Sequence, residues 1–481
     1  MPGTSIVWFR QDLRLGDNPA LTAAIARGRP IFPVFIASLQ DEGEWQPGAA
    51  SRWWLHGSLA QLDLSLRQLG SRLILRQGPL LNSLRKLVLE TNASAVFWNR
   101  GYEPNPFSEG MKLKTALEHA GLEAESFSGC LLYEPAAIQT GDGRPFKVFT
   151  AFWKACLARG IQPPPPLKLP AKKLLNPASW PESLPLEALC LEPKPDWAGG
   201  LRQAWSPGER GAIQRLNGFL EQGLPVYAEA RNLPGQAGTS RLSPHLHFGE
   251  ISPRTIYHAV MARLSTGPES DSRRAMEAFL RQLGWREFAC HLLWHFPATS
   301  AEPLRSEFAR FPWRMSKQEL AAWQRGRTGY PLVDAGMREL WTTGWMHNRV
   351  RMVVASFLTK DLLLPWQEGA RWFWDTLVDA DLANNTFGWQ WVAGCGADAA
   401  PYFRIFNPVT QSEKFDPSGD YIRRWLPELA RLPSPWIHCP REAPALVLKN
   451  AGVNLRKDYP LPIVDHLHAR TRALAAHGSI K

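Results

Sequence analysis

Short apolar runs bounded by glycine, proline, asparagine or charge recur over the first hundred residues, at 6–9, 31–36, 73–75 and 95–98. Runs of this length between breakers read as buried strands. Between them the period lengthens. In 51–69 the residues Trp54, Leu55, Leu59, Leu62 and Leu66 fall three and four apart, and 80–89 repeats the pattern, so both predict helices that pack by one face. Strand alternating with helix predicts an α/β domain built on a doubly wound parallel sheet. From 160 to 207 the pattern breaks. Eleven prolines fall there, four of them in a row at 163–166, and proline neither continues a helix nor donates to a ladder. So long a loop is rare inside one compact domain, which makes the span a connector. After Glu209 strand signals nearly vanish and helical spacing dominates, as in 274–296 and 336–364, with Asp334 a candidate cap and Gly329-Tyr330-Pro331 a candidate stop and restart. The pattern therefore predicts an α/β N-terminal domain over 1–135, a Pro-rich connector over 136–207 and a larger all-α domain over 208–481.

Composition adds a partner class. The chain has 481 residues, 22 of them Trp, and a formal net charge of +11. Residues 1–150 are nearly balanced, with 15 basic against 14 acidic side chains, and the later part holds 40 against 30 together with 17 of the indoles. A polyanion, if one binds, is expected on the later part. The six cysteines (Cys130, Cys156, Cys190, Cys290, Cys395, Cys439) are scattered without a C-x-x-C pair, which suggests a reducing compartment. No apolar run approaches the roughly 20 residues that span a bilayer, and the N-terminus lacks a signal-peptide pattern, so a soluble cytoplasmic chain is expected.

Common catalytic signatures are missing: no phosphate loop, no G-x-G-x-x-G after the first strand, no H-E-x-x-H and no G-x-S-x-G. His291 and His295, four apart, have no third ligand at a sensible spacing, so core histidines are the better reading and no metal is expected. Thr239-Ser240-Arg241-Leu242-Ser243 concentrates three hydroxyls and a guanidinium before Pro244; they suit a phosphate, although standing alone the segment reads more simply as a capping cluster. Aromatic, basic and amide groups mix in Trp285-Arg286-Glu287-Phe288 and in 344–352, as a base- or flavin-binding cleft requires, or as a helical core with a basic outer face would show. The densest constellation is 379–391, with Asp379, Asp381, Asn384, Asn385, Trp389 and Trp391. Its carboxylates suit a polyol or ring N–H, and its amides a redox ring.

Several long segments, in order, resemble the photolyase/cryptochrome flavoproteins, and among them the bacterial cyclobutane pyrimidine dimer photolyases: IVWFRQDLRLGDNPAL (6–21), TSRLSPHLHFGEISP (239–253), WREF (285–288), TGYPLVDAGMREL (328–340), GWMHNRVRM (344–352) and GWQWVAGCGADAAPYFRIFNP (388–408). The resemblance covers essentially the whole chain. It implies FAD, active as FADH⁻, in the helical domain. The implied flavin contacts are Tyr227, Thr239, Ser240, Arg241, Leu242, Ser243, Gln282, Trp285, Arg286, Asn348, Arg351, Asp379, Ala380, Asp381 and Asn385. Asn385 is the implied amide at flavin N5, where plant cryptochromes carry Asp and animal ones Cys, so the amide favours repair. A tryptophan chain for electron supply falls on Trp389, Trp366 and Trp313.

The implied reaction is light-driven electron transfer from FADH⁻ to a pyrimidine dimer flipped out of UV-damaged DNA, ring splitting and return of the electron. Implied lesion contacts are Gln282, Trp285, Asn348, Met352, Trp391 and Gln411. Gln282 departs from the family pattern, since cyclobutane photolyases usually carry Glu there. The (6-4) photolyases also carry Gln, but place histidines at the positions of Asn348 and Met352, so the cyclobutane reading is kept, with (6-4) repair and a cryptochrome-like photoreceptor as alternatives. An antenna chromophore is expected in the α/β domain near Asp12, Glu103 and Asn105, with methenyltetrahydrofolate preferred over a deazaflavin. A monomer is expected.

Overall fold

The computed structural model describes residues 3–38, 45–158, 165–168, 173–265, 270–399 and 403–480, so part of the proline run at 163–166 lies outside the described residues. The apolar runs become strands β1 (Thr4–Phe9), β2 (Ile31–Ala37), β3 (Ile74–Gln77) and β4 (Ala93–Asn99), joined by helices α1 (Pro19–Ala26), α2 (Ala49–Gln68) and α3 (Leu80–Thr91). A fifth strand, β5 (Glu123–Phe127), follows α4 (Pro104–His119). All pairings are parallel, in the order β3-β2-β1-β4-β5, with Trp8 opposite both Val34 and Trp98. Helices cover both faces of such a sheet, and five of the six β1 residues are buried accordingly. Leu80, Leu84 and Leu87 form the buried face of α3, and Asn92, left-handed at φ 48°, ends it.

Backbone proximity divides the chain into two compact units, Met1–Gln222 with Ser240–Pro297, and Gly223–Thr239 with Ala298–Lys481. Both units thus draw on the span 208–481. In the first, the described part of the connector runs along the sheet elements: Leu174 N–H donates to the Leu69 carbonyl, Leu184 N–H to Leu75 and Ile31 N–H to Leu175. The Ser270–His295 helix packs on the Phe149–Ala158 helix, where Gly284 is obligatory in size, since a Cβ there would lie 2.6 Å from the Trp153 ring.

The second unit is helical, its core built on Trp323, Trp366, Phe373, Trp389 and Tyr421. The single apolar pattern over 336–364 is interrupted. The Pro331–Thr343 helix stops at Gly344, which is left-handed at φ 66°, a new helix starts at Asn348 and runs to Ser356, and a π-turn, Phe357–Asp361, follows. Tyr330 and Pro331 start the first helix as expected, whereas Asp334 is not its N-cap. Asp334 lies inside the first turn and accepts from Thr328 N and Oγ1, Gly329 N and the Tyr459 hydroxyl. Among the described residues no helix is long and apolar enough to cross a membrane, and no group of three or more His, Cys, Asp or Glu is disposed to hold a metal.

Candidate functional site

In the first unit, Gln282, Trp285 and Arg286 share one face of the Ser270–His295 helix by their spacing of three and four. The Trp285 indole stacks on Phe149 at 3.6 Å between centroids and 11° between planes. Gln282 Nε2 donates to the Ala278 carbonyl one turn back. Arg286 Nη1 donates to the Cys130 carbonyl at 2.9 Å and lies 3.4 Å from Glu287 Oε1. Glu287 Oε2 accepts the Leu132 and Tyr133 N–H groups, yet burial pushes its carboxyl up to about 7 against the pull of Arg286 and both amides. Arg241, left-handed at φ 51°, sets its guanidinium 4.6 Å from the Trp205 centroid, just before Leu242 and the short helix Ser243–His247. The Ser243 side is exposed, and Ser240 Oγ accepts from Leu242 N at 3.4 Å.

Asp12 follows β1 in the first unit. It is buried and accepts from Arg10 N and Asn99 Nδ2, both at 2.6 Å, and burial raises its pKa. Glu103 precedes α4 as its N-cap residue, and Asn105 is exposed on the first turn of that helix.

In the second unit, His347 caps the Asn348–Ser356 helix by accepting the Arg349 N–H, and Asn348, Arg351 and Met352 then fall on adjoining turns. Arg351 Nη2 reaches both oxygens of Asp379, at 3.0 and 2.8 Å, and Arg351 Nε donates to the Met346 carbonyl. Buried Ala380 leads to Asp381, which caps the Leu382–Ala393 helix and accepts from both nitrogens of Asn384. Asn385 Nδ2 donates to the Ala370 carbonyl at 3.0 Å. Tyr227 is buried with Arg231 over its ring, and Thr239 closes the same chain segment, half-buried.

Trp389 is 2 % exposed and meets Phe373 at 5.0 Å and Trp323 at 6.2 Å. Trp313 meets Phe311 at 4.3 Å. Trp366 is buried at the start of the Trp366–Thr376 helix, and among the described residues no ring pair joins it to Trp389 or Trp313. Trp391 Nε1 donates to the Asp398 carbonyl. Gln411 lines a cavity of about 540 Å³ with Arg349, Arg404, Lys414, Arg470, Phe403, Phe406 and Phe415, and among the described residues no carboxylate lines it. Its Oε1 is buried without a hydrogen-bond partner among the described residues.

Sequence reasoning gave no role to Trp323, or to His347 and Arg349 within the quoted 344–352 segment, or to the other cations of that cavity. Arg404 sits inside a quoted motif and was open to notice; Arg470 lies some sixty residues further on, in the His466–Gly478 helix, and nothing in the sequence pattern ties it to Gln411.

The groups present suit a flavin dinucleotide. Taken by itself, the first unit offers the Ser240 and Ser243 hydroxyls and the Arg286 guanidinium, donors of the kind a diphosphate takes, and the second unit by itself offers the Thr239 hydroxyl, the Arg351 guanidinium, the Asp381 carboxylate and the neutral Asn385 amide, donors and acceptors of the kind a flavin ring takes.

Comparison with known proteins agrees. Residues 279–479 match the family described as the FAD binding domain of DNA photolyase, and residues 5–171 match the DNA photolyase family. A deoxyribodipyrimidine photo-lyase from Agrobacterium fabrum is 50% identical over 477 residues, covering 99% of this chain and 98% of the relative. Cryptochrome-1 of Arabidopsis thaliana is 44% identical over 98% of this chain and 69% of its own length. The crystal structure of a bacterial class III photolyase from Agrobacterium tumefaciens superposes with a TM-score of 0.95 at 49% identity, covering 100% of this chain and 98% of that one.

Proposed function

The chain belongs to the DNA photolyase family, and on that premise we propose that it repairs cyclobutane pyrimidine dimers in UV-damaged DNA by light-driven electron transfer. It is a flavoprotein lyase of the deoxyribodipyrimidine photo-lyase type. Bound FAD, fully reduced and excited by blue or near-UV light, supplies the electron that splits the cyclobutane ring. The protein's own residues position the partners. Arg351, fixed by Asp379 and the Met346 carbonyl, presents a guanidinium whose direction is set by three acceptors. Asn385, tied through its nitrogen to Ala370, turns its carbonyl oxygen away from that bond and offers a neutral acceptor to a ring N–H. Trp389, Trp366 and Trp313 are proposed as electron suppliers, and Gln282, Trp285, Asn348, Met352, Trp391 and Gln411 as lesion contacts. A folate antenna is part of the proposal, with Asp12, Glu103 and Asn105 as its candidate contacts.

The observation that carries the repair reading is the cavity of the second unit. Four cations and three phenylalanines without a carboxylate suit a phosphate backbone with an unstacked base beside it. The test is illumination of the photoreduced protein with two oligonucleotides, one bearing a cyclobutane thymine dimer and one a (6-4) photoproduct. Light-dependent loss of the cyclobutane dimer is expected. Loss of the (6-4) lesion alone refutes the lesion assignment, and no loss of either refutes repair and favours a photoreceptor.

A further inference from the structure

Lys360 has no part in the activity described above and is 0% exposed. It lies in the π-turn Phe357–Asp361, a local geometry often kept where a helix serves a function. Its Nζ donates to the Ala393 carbonyl at the end of the Leu382–Ala393 helix and sits 3.2 Å from the centroid of the Phe403 ring. The His477 imidazole stacks on the same ring at 4.3 Å and 4°. An imidazole stacked that closely leaves no room for Nζ on its own side, so Lys360 and His477 hold opposite faces of Phe403.

Phe403 begins the segment that walls the basic cavity. Three residues on, Phe406 N–H donates to Ser356 Oγ, and then Asn407 caps the helix carrying Gln411 by accepting the Val409 N–H. Ser356 and Lys360 belong to one continuous stretch that starts at Asn348. The wall is therefore pinned at two points to the helix that presents Asn348 and Met352. We propose that Lys360 is a positioning residue: by wedging Phe403 it fixes the cavity wall that carries Arg404 and Gln411 relative to Asn348. This rests on the repair reading of the cavity.

Burial disfavours the charged form of this amine. Among the described residues no carboxylate pairs with it, since the neighbouring Asp361 is bonded to His466 Nδ1 at 2.6 Å. A buried ammonium without a counter-ion is strongly disfavoured, and burial holds this amine well below its usual range. The Cys395 thiol nearby is itself pushed up to about 12 by burial and so supplies no negative charge.

The test uses the flavin-loaded protein and three substitutions, Lys360→Ala, Lys360→Met and Lys360→Arg, with dark affinity for a dimer-bearing oligonucleotide, KM, kcat and flavin absorbance read on each. Lys360→Ala is expected to raise Kd and KM about tenfold while kcat and flavin content stay within about twofold, as loss of uniform binding does. Lys360→Met, uncharged and of similar length, restores affinity, and Lys360→Arg, always charged, does not. Unchanged Kd in Lys360→Ala, or Lys360→Arg performing as well as Lys360→Met, overturns the proposal. If Lys360→Ala does not fold, His477→Ala frees the other face of Phe403 from the half-buried side and is expected to weaken the same Kd; an unchanged Kd there is equally fatal. A wild type that shows no preference for the dimer overturns the repair reading itself, a result distinct from a normal wild type with an indifferent Lys360→Ala.

Discussion

Gly369 sits in the Trp366–Thr376 helix directly beneath the Trp389 indole, and a Cβ at this position would lie 2.0 Å from Cη2 and 2.5 Å from two further ring carbons. Ordinary contact needs about 3.4 Å, so Gly369→Ala requires the ring or its helix to retreat by more than 1 Å. The ring has little freedom to do so, being 2 % exposed and held by Phe373 and Trp323. Two effects of opposite sign compete. Replacing glycine by alanine in a helix gains about 1 kcal/mol, and overpacking a filled core costs about 1–3 kcal/mol. With a clash this deep the upper end of the cost applies, leaving a net loss of about 2 kcal/mol, read as a lowered urea midpoint at constant m. Gly218 serves as the control, because a Cβ there meets nothing within 4 Å at the end of the Glu209–Gly218 helix, and Gly218→Ala should be neutral or stabilising. The same displacement moves Trp389 from its neighbours, so photoreduction of bound flavin should slow in Gly369→Ala and remain normal in Gly218→Ala. A Gly369→Ala protein as stable as wild type, with unchanged photoreduction, would show that Trp389 is not fixed by this packing and has no role that depends on its place.

Two further expectations concern buried charge. His291 and His347 each accept a backbone N–H, from Phe146 and Arg349, and burial holds both at about 4, aided by His295 for the first and by Arg349, Arg351 and Arg231 for the second. Folded, they stay neutral while the unfolded chain takes up protons below about 6.5, so stability should fall as pH drops from about 6.5 towards 4, by up to ~3 kcal/mol per histidine; His291→Asn and His347→Asn should each flatten the slope in urea titrations across that window, and an unaltered slope would contradict the assignment. Arg351→Met removes the guanidinium that bonds both oxygens of the buried Asp379 carboxylate and should lower stability by up to about 3–5 kcal/mol together with flavin content, whereas adding Asp379→Asn should recover part of the stability but not the flavin; a single variant as stable as wild type would refute the pairing argument.

The strands most legible in the sequence are the three inner ones, β1, β2 and β4, which carry apolar runs buried on both faces. The two edge strands carry less: β3 keeps only Ile74 and Leu75 of its run before Arg76 and Gln77, and β5 reads Glu-Ala-Glu-Ser-Phe, with only Ala124 buried, so no apolar run marks it. The pattern over 336–364 was continuous in the sequence because Leu340 and Val350 are buried on either side of the break and Met346 within it; the interruption lies in the left-handed Gly344 and the His347 cap, which periodicity does not register. Motif identity supplied most of the candidate site residues, Arg351 from the quoted 344–352 segment and Asp379 from the 379–391 constellation. It did not locate the partners that hold them. Arg349 bonds Asn232 across 117 positions, and Lys360 acts through a carbonyl and a ring, neither of which has a sequence signature. Nor does the sequence show that Asp12, just after β1, accepts from Asn99, 87 residues away.

The first unit is stitched from two stretches of chain, and this sets an order on synthesis. When residue 222 has been made, the Phe149 and Phe152 rings still lack their partners Trp285 and Phe288, which come only with the Ser270–His295 helix. The 75 residues from 223 to 297 must be added first, which takes about 4–15 s at translation rates of roughly 5–20 residues per second. Through that interval the nascent chain carries an uncovered aromatic face, long after local helices have had time to form. A stall or truncation between 223 and 297 therefore leaves a sheet that is nearly finished and a surface suited to capture by holding chaperones, while the stretch that starts the second unit waits with Tyr227 for residues beyond 298.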